Sequence, residues 1–224
     1  MANTTFALRI TDLIGDYAAK INDNHEIDLL NSAIAEVADA CGAELLLKYA
    51  VDPVVLNNST TTWTAVEGKK VLLVTRADAG GVHRVCELVG IPAFDQAQDS
   101  DSIFAATSHS PVSCIITDGG ATSLSVKPTP TSGETVNIYY FGYPTTNQKE
   151  ATNLNSIGIP TQLLHAIALR ASIMMLQAYI SDSVQDEEDT EILSMLTAQI
   201  GTLTEQYRGE MGRFVEGFTQ GESK

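Results

Sequence analysis

Apolar positions recur at helical spacing in the first third of the chain. The clearest run steps by three or four residues and comprises Ile27, Leu30, Ile34, Val37, Cys41 and Leu45. Such a run predicts one amphipathic helix that packs on the protein's own core. Asn24 is its predicted N-cap, and Pro53 ends it. A shorter run, Leu13–Ile21, predicts an earlier helix that Thr11 or Asp12 would cap.

Short alternating segments bounded by turn residues fill the middle of the chain. The predicted strands are Thr60–Val66, Lys70–Arg76, His83–Ile91, Val112–Thr117, Thr122–Lys127 and Glu134–Phe141. Gly80-Gly81, Gly119-Gly120 and Pro130–Gly133 mark the turns. This spacing predicts an antiparallel meander folded into a small sandwich or open barrel. The polar stretch from Ala93 to Ser108 is predicted to be a loop.

A strongly apolar helix is predicted after the strands. Gly158-Ile159-Pro160 opens it, and it runs to Ile180 with apolar residues around most of its circumference. A helix of this kind has to be buried on several sides, and neighbouring subunits would bury it in a domain of this size. The candidate subunit-interface residues are Leu163, Ile167, Arg170, Met174 and Leu176. A charge on such a helix needs a partner, so a carboxylate of a neighbouring subunit is expected beside Arg170.

The end of the chain combines an acidic stretch, a helix and a tail. After Asp182–Glu191, a long helix is predicted with one apolar face made of Ile192, Leu196, Ile200, Leu203, Tyr207 and Met211. The segment from Arg213 to Lys224 is predicted to be extended. Arg213, Phe214, Val215 and Phe218 are its candidate partner-binding residues, because bulky apolar side chains outside a core can fill pockets on a partner. A frayed terminus is the alternative.

These elements predict the α+β class. The expected fold is a bundle of about four helices with an inserted antiparallel β-sandwich or open β-barrel. Residues 1–53 would hold the N-terminal helices, 54–144 the β-rich insertion, 159–212 the C-terminal helices that pack on the first ones, and 213–224 the extended tail.

Composition narrows the function classes. The chain has 224 residues, of which 44% are hydrophobic and only 18% charged, so much of its surface is available for contact with other subunits. The net charge of −15 argues against a phosphate-binding surface, which requires Lys and Arg. The N-terminus lacks the pattern of a signal peptide, and no membrane partner is expected, because His165, Arg170, Ser172 and Gln177 interrupt the longest apolar run. The scattered Cys41, Cys86 and Cys114 fit small buried residues in a reducing compartment.

No residue pattern typical of catalysis, of a metal site or of a cofactor site is found. The acidic run Asp182–Asp189 and the cluster Asp95, Asp99 and Asp101 lack the spacing of a calcium loop. The histidines are scattered, and Ser108-His109-Ser110 lacks the context of a nucleophile. We therefore expect no enzymatic activity, no metal and no cofactor.

The order of parts resembles the head-to-tail adaptor proteins of tailed bacteriophages. The segments that carry the resemblance are Val71–Val89, Asp118–Pro130, Glu134–Pro144 and Ile159–Ser172. The resemblance covers roughly residues 8 to 210. It implies a structural virion protein that forms a ring, commonly of twelve copies, at the phage neck and connects the portal of the head to the tail.

Such a ring would have the portal and a tail or nozzle protein as partners, and DNA would pass through its lumen without specific binding. Its place would be the virion neck, and the host cytoplasm during assembly. Two alternatives stay open at this point. One is a tail-tube or nozzle component, and the other is a non-viral soluble binding module with a β-sandwich.

Overall fold

A computed structural model of the chain describes residues 4–183 and 190–219. The chain forms two compact units. Met1–Leu46 and Tyr143–Lys224 make up the helical unit, and Leu47–Gly142 make up the β unit. The fold class is α+β, and the β segment is inserted between two helical portions of the chain.

Six helices lie within the described residues: α1 (Phe6–Ile14), α2 (Asp23–Ala40), α3 (Ala43–Leu47), α4 (Ile91–Gln98), α5 (Leu164–Ser183) and α6 (Thr190–Thr219). Short 3-10 segments occur at Gly15–Lys20, Asn155–Ile157 and Thr161–Leu163. All but α4 belong to the helical unit, and the last residue of α3 begins the β unit.

The first helix begins earlier than the sequence analysis predicted. The Thr5 hydroxyl accepts the backbone N–H of Leu8, so Thr5 is the N-cap, in place of Thr11 or Asp12. The helix ends at Ile14 because Gly15 has a φ of 61°, a left-handed conformation that suits glycine. The predicted helix over Leu13–Ile21 was therefore wrong in its bounds.

The second helix is also shorter than its apolar pattern predicted. Asn22 caps α2 by accepting the N–H of Asn24 at 3.0 Å, so Asn24 lies inside the helix. The helix ends at Ala40, far before Pro53, and Cys41 is its C-cap. The pattern continues across this break because α3 begins again only three residues later.

Helix α5 is the central element of the helical unit. It packs against α1, α2 and α6, which is why nearly all of its circumference is apolar. It begins at Leu164, because Pro160 caps a 3-10 turn over Thr161–Leu163 instead of lying in the helix itself. The predicted start at Ile159 was therefore too early.

The β unit contains eight strands in two sheets. They are β1 (Val54–Leu56), β2 (Thr62–Trp63), β3 (Lys69–Ala77), β4 (His83–Val85), β5 (Glu87–Leu88), β6 (Val112–Asp118), β7 (Ala121–Lys127) and β8 (Thr135–Gly142). One sheet has the order β1-β8-β3-β4, and the other has the order β2-β7-β6-β5. Two hairpins turn at the expected glycines: Gly81 has a φ of 79° between β3 and β4, and Gly120 a φ of 85° between β6 and β7.

The topology is not the antiparallel meander that the spacing predicted. Strand β5 pairs in parallel with β6, from Glu87↔Val112 to Leu88↔Ser113, so the second sheet is mixed. The segment His83–Ile91, predicted to be one strand, contributes β4 to one sheet and β5 to the other. Period-2 alternation does not encode which strand will be the neighbour, so the crossing could not be predicted from it.

Both sheets contribute to one buried core. Val74, Val136 and Ile138 come from the first sheet, and Leu124 and Val126 come from the second. Trp63 is also buried there, and its ring lies 5.0 Å from that of Tyr140.

Helix α4 replaces part of the predicted loop from Ala93 to Ser108. Pro92 stands in its first turn after Gly90, where the missing N–H of proline is harmless. Phe94 and Ala97 are buried, and the helix packs against β6 and β7. The polar residues around these two positions concealed the helix in the sequence.

Candidate functional site

The candidate interface residues on α5 and in the 3-10 turn before it differ in how much surface they leave to another chain. Leu163, Ile167 and Leu176 are completely buried within the single subunit. Helices of the same chain already cover this surface, so we correct the expectation that neighbouring subunits bury these three residues. Met174 and Arg170 are only half-buried, and they are the members of the set that can still meet a partner.

Arg170 has a carboxylate partner in its own chain. Its Nε donates to Oε2 of Glu36, on α2, at 2.5 Å. This pair supplies from within the subunit the carboxylate that was expected from a neighbour. Burial raises the pKa of the nearby Tyr207 hydroxyl, while the positive charge of Arg170 opposes the shift. The three residues link α2, α5 and α6.

A second ion pair holds the chain that follows the β unit against the start of α2. Lys149 Nζ lies 2.5 Å from Oε2 of Glu26, and Glu26 is buried. The same nitrogen lies 3.3 Å from Oδ1 of Asp23. The dipole of a helix also stabilises carboxylates in its first turn. The Lys149 ammonium therefore lies beside two carboxylates, Asp23 and Glu26, at the positive end of α2.

The candidate partner-binding residues at the C-terminus begin inside a helix. Helix α6 runs to Thr219, so residues 213–219 are helical where an extended tail was expected. Arg213 is exposed and pairs with Glu210 one turn earlier at 2.9 Å, and Phe214 is half-buried. The side chains of Val215 and Phe218 lie outside the described part of the chain.

The β unit carries an open groove of about 500 Å³ between α4, β5 and the loop after α4. Its apolar lining includes Val89, Ala93, Ala97, Ile103, Phe104 and Val112. Ile103 is 92% exposed and Phe104 is 65% exposed, which is unusual for residues of this size. We call this feature the Ile103 groove.

The apolar and polar pattern of the sequence did not predict the Ile103 groove. A signal was present, because Ile103-Phe104 directly follows the polar run Asp99-Ser100-Asp101-Ser102. Two adjacent apolar residues in a polar loop are either buried in a core or exposed on a surface that binds a partner. Only the structure shows that Ile103 and Phe104 are exposed.

Comparison with known families identifies the chain. The family model described as SU10 adaptor protein matches residues 5–216, nearly the whole chain. The protein belongs to the SU10 adaptor protein family. No curated protein and no solved structure matches it.

Membership makes this protein a structural phage adaptor that interacts with other head or tail proteins and becomes part of the virion. The resemblance found in the sequence is confirmed. The family is not known for enzymatic activity.

Among the described residues, the acidic and histidine side chains considered as metal or catalytic candidates do not come together in one site. Asp95 lies on α4, Asp99 caps the end of that helix, and Asp101 donates its N–H to the Asp99 carboxylate at 3.0 Å. No group of three potential metal ligands occurs among the described residues. His109 and His165 are exposed, and residues 184–189 of the acidic run lie outside the described part of the chain.

The adaptor's cysteines and its apolar helix serve packing. All three cysteines are buried thiols, as expected, and burial raises the pKa of the Cys86 thiol to about 12. The segment Thr161–Asp182 is long and apolar enough to cross a membrane, which the sequence analysis did not expect. The core helix of a protein can be equally long and apolar, and 61% of the most apolar stretch of this helix is buried inside the protein.

Proposed function

We propose that this adaptor forms a ring at the neck of a tailed phage, with twelve copies as the expected number, and joins the portal of the head to the tail. The observation that carries the proposal is the family match over residues 5–216. It favours an adaptor over a cellular binding module. A tail-tube or nozzle component remains the nearest alternative.

A ring requires two different surfaces on each subunit that fit each other. Among its described residues, the helical unit leaves few large apolar side chains exposed, and Leu8 and Met195 belong to these. The β unit exposes more of them, including Val55, Val85 and Ile103. On α5, Met174 and Arg170 are the positions where a neighbouring subunit could add contacts.

The end of α6 is the proposed contact with the portal. Arg213 is exposed, and Phe214 is half-buried in a helix that leaves its apolar side incompletely covered. With Val215 and Phe218 it would offer a short segment of aromatic and aliphatic residues for pockets on the portal. A helical backbone through Thr219 would lower the ordering entropy lost on docking.

The charge of the adaptor suits the passage of DNA. Each copy carries −15, and most of the 28 acidic residues lie in the helical unit. A dozen copies would carry on the order of 180 negative charges, so a duplex moving through the lumen would be repelled and not held. A strongly positive lumen, or tight duplex binding by the purified ring, would contradict this part of the proposal.

The proposal assigns no catalytic step, metal or cofactor to the adaptor. It would reside in the virion neck, after a period in the host cytoplasm during assembly.

The test is the mass of the purified protein by size-exclusion chromatography with light scattering, alone and with its portal protein. Electron microscopy of the complex should show a ring seated on the portal. A chain that stays monomeric and does not bind the portal protein would overturn the proposal. Rings that attach to the tail but never to the portal would favour the nozzle alternative.

A further inference from the structure

The Ile103 groove has the properties of a docking surface prepared in advance. Ile103 and Phe104 lie in a loop whose backbone is held by local hydrogen bonds. Their exposure is therefore a feature of the folded loop. The Ser102 hydroxyl accepts the N–H of Phe104 at 3.1 Å, and Ala106 donates its N–H to Ala97 at 3.0 Å, which ties the loop back to α4. A partner that covers these side chains would lose little conformational entropy in the loop.

The edge of a sheet borders the same groove. Strand β5 is the last strand of its sheet, and its first residue, Glu87, and the residue directly after it, Val89, line the groove. Leu88 between them is 55% exposed. An extended segment could therefore pair with this edge while it places apolar side chains against Ile103 and Phe104.

The charge of this region selects the partner. The residues that line the groove include Glu87 but no Lys or Arg, and Asp95, Asp99 and Asp101 lie on α4 or directly after it. The nearby cation Lys127 is on β7, where it pairs with Val112 of β6. Glu87 lines the groove, and Asp101 lies two residues from Ile103. A second copy of a chain with net charge −15 would meet repulsion here, whereas a cationic segment would be attracted.

We propose that the Ile103 groove binds an extended apolar segment that carries Lys or Arg and belongs to a different protein. The proposal rests on the proposed function only in placing that protein next to the adaptor at the phage neck. The apolar contacts with Ile103 and Phe104 hold the segment, and Glu87 and Asp101 exclude acidic competitors.

The probe is a fluorescein-labelled synthetic decapeptide of alternating Leu and Lys, compared with one of alternating Leu and Glu. Fluorescence anisotropy with the full chain should show binding of the Lys peptide that weakens as salt rises, and no comparable binding of the Glu peptide. The double substitution Ile103→Asp with Phe104→Asp should lower the affinity about tenfold or more. Glu87→Lys should lower it about threefold at low salt.

Matched controls separate the groove from general attraction to an acidic protein. Asp118→Lys makes the same charge change at the β6–β7 turn, and Leu8→Asp removes another exposed apolar side chain, in α1. Both should bind the Lys peptide like the unmodified chain. Native fluorescence of Trp63, in the core of the β unit, checks that each variant is folded.

Three results would overturn the proposal: equal affinity for both peptides, unchanged affinity in the Ile103→Asp, Phe104→Asp variant, or self-association of the chain that this variant abolishes. The last result would make a second copy the occupant of the groove. Failure of the unmodified chain to form rings or to meet the portal would count against the proposed function alone, because the peptide measurement needs neither.

Discussion

Nη2 of Arg76, on β3, donates to Oε2 of Glu134, the residue directly before β8, at a distance of 2.7 Å. The Arg76 side chain is 3% exposed and that of Glu134 is 13% exposed. Nε of Arg76 also donates to the carbonyl of Pro128 at 3.2 Å, and Glu134 accepts the N–H and the hydroxyl of Thr131. One buried charge pair thus connects β3 with β8 and with both ends of the turn that leads from β7 to β8.

Removing one member of this pair should destabilise the β unit. We expect Glu134→Ala to lower its free energy of unfolding by about 3 kcal/mol, because Arg76 would keep a buried charge without its carboxylate. Urea unfolding followed by the fluorescence of Trp63, the single tryptophan, measures this unit directly. Glu67→Ala, which removes an exposed carboxylate from the same unit, should change little. Equal effects of the two substitutions would contradict this account.

The same carboxylate should make the β unit sensitive to acid. The backbone N–H and then the hydroxyl of Thr131 hold the pKa of Glu134 below its ordinary value of 4.5, and Arg76 adds to the effect against the opposing effect of burial. A lowered pKa means that the stabilisation is complete above pH 4.5 and disappears as the pH falls through the lower, folded-state value. Urea midpoints between pH 6 and about pH 3 should therefore fall less in Glu134→Gln than in the unmodified chain.

Asp78 is a second carboxylate of the β unit with a lowered pKa, and Glu134→Gln leaves it in place. Its carboxylate accepts the N–H groups of Val82 and Gly80 in the β3–β4 turn, and the bond from Val82 is the main cause that lowers its pKa. This contribution persists in Glu134→Gln, so some loss of stability in acid should remain. A pH profile identical to that of the unmodified chain would show that Glu134 is not a major titrating group.

Substitution by Asp should affect the folding of the helical unit differently at Leu176 and at Met174, both on α5. Leu176→Asp should unfold the helical unit, because it places a charge in a completely buried position. Met174→Asp should leave the helical content measured by circular dichroism unchanged, since Met174 is half-buried. If Met174→Asp also prevents ring formation, this side of α5 lies at a subunit interface. Intact rings would place the interface elsewhere.

The Arg170–Glu36 pair should contribute little to the stability of the single chain. Its side chains are 27% and 47% exposed, and a pair this accessible to solvent is worth about 1 kcal/mol or less. A double-mutant cycle with Arg170→Ala and Glu36→Ala measures the coupling energy. A much larger coupling that appears only in the assembled ring would place the pair at a contact between subunits.

Deleting residues 213–224 tests the proposed portal contact. The deletion leaves the buried Leu196, Leu203 and Met211 of α6 in place, so the helical unit should remain folded. Attachment to the portal should weaken by about tenfold or more if the aromatic side chains are anchors. The double substitution Phe214→Ala with Phe218→Ala is the finer version of this test. If both variants bind the portal with unchanged affinity, residues 213–224 do not contribute to the portal contact.

The sequence by itself determined the order and type of most elements, because these follow from local periodicity and turn residues. The compact apolar run Lys70–Arg76 identified β3, and the alternation in Thr122–Lys127 identified β7. Gly80-Gly81 and Gly119-Gly120 identified their turns. Helix ends were less accurate. Caps such as Thr5 and Asn22 compete with similar residues nearby, and the pattern of α2 continues into α3 across a break.

Only the tertiary structure decided which surfaces are already covered. The apolar circumference of α5 implied several packing partners, but it did not distinguish other helices of the same chain from other subunits. The carboxylate beside Arg170 was anticipated, and its origin in α2 was not. The parallel pairing of β5 and the exposure of Ile103 depend on contacts between residues distant in the chain, which a periodic pattern does not specify.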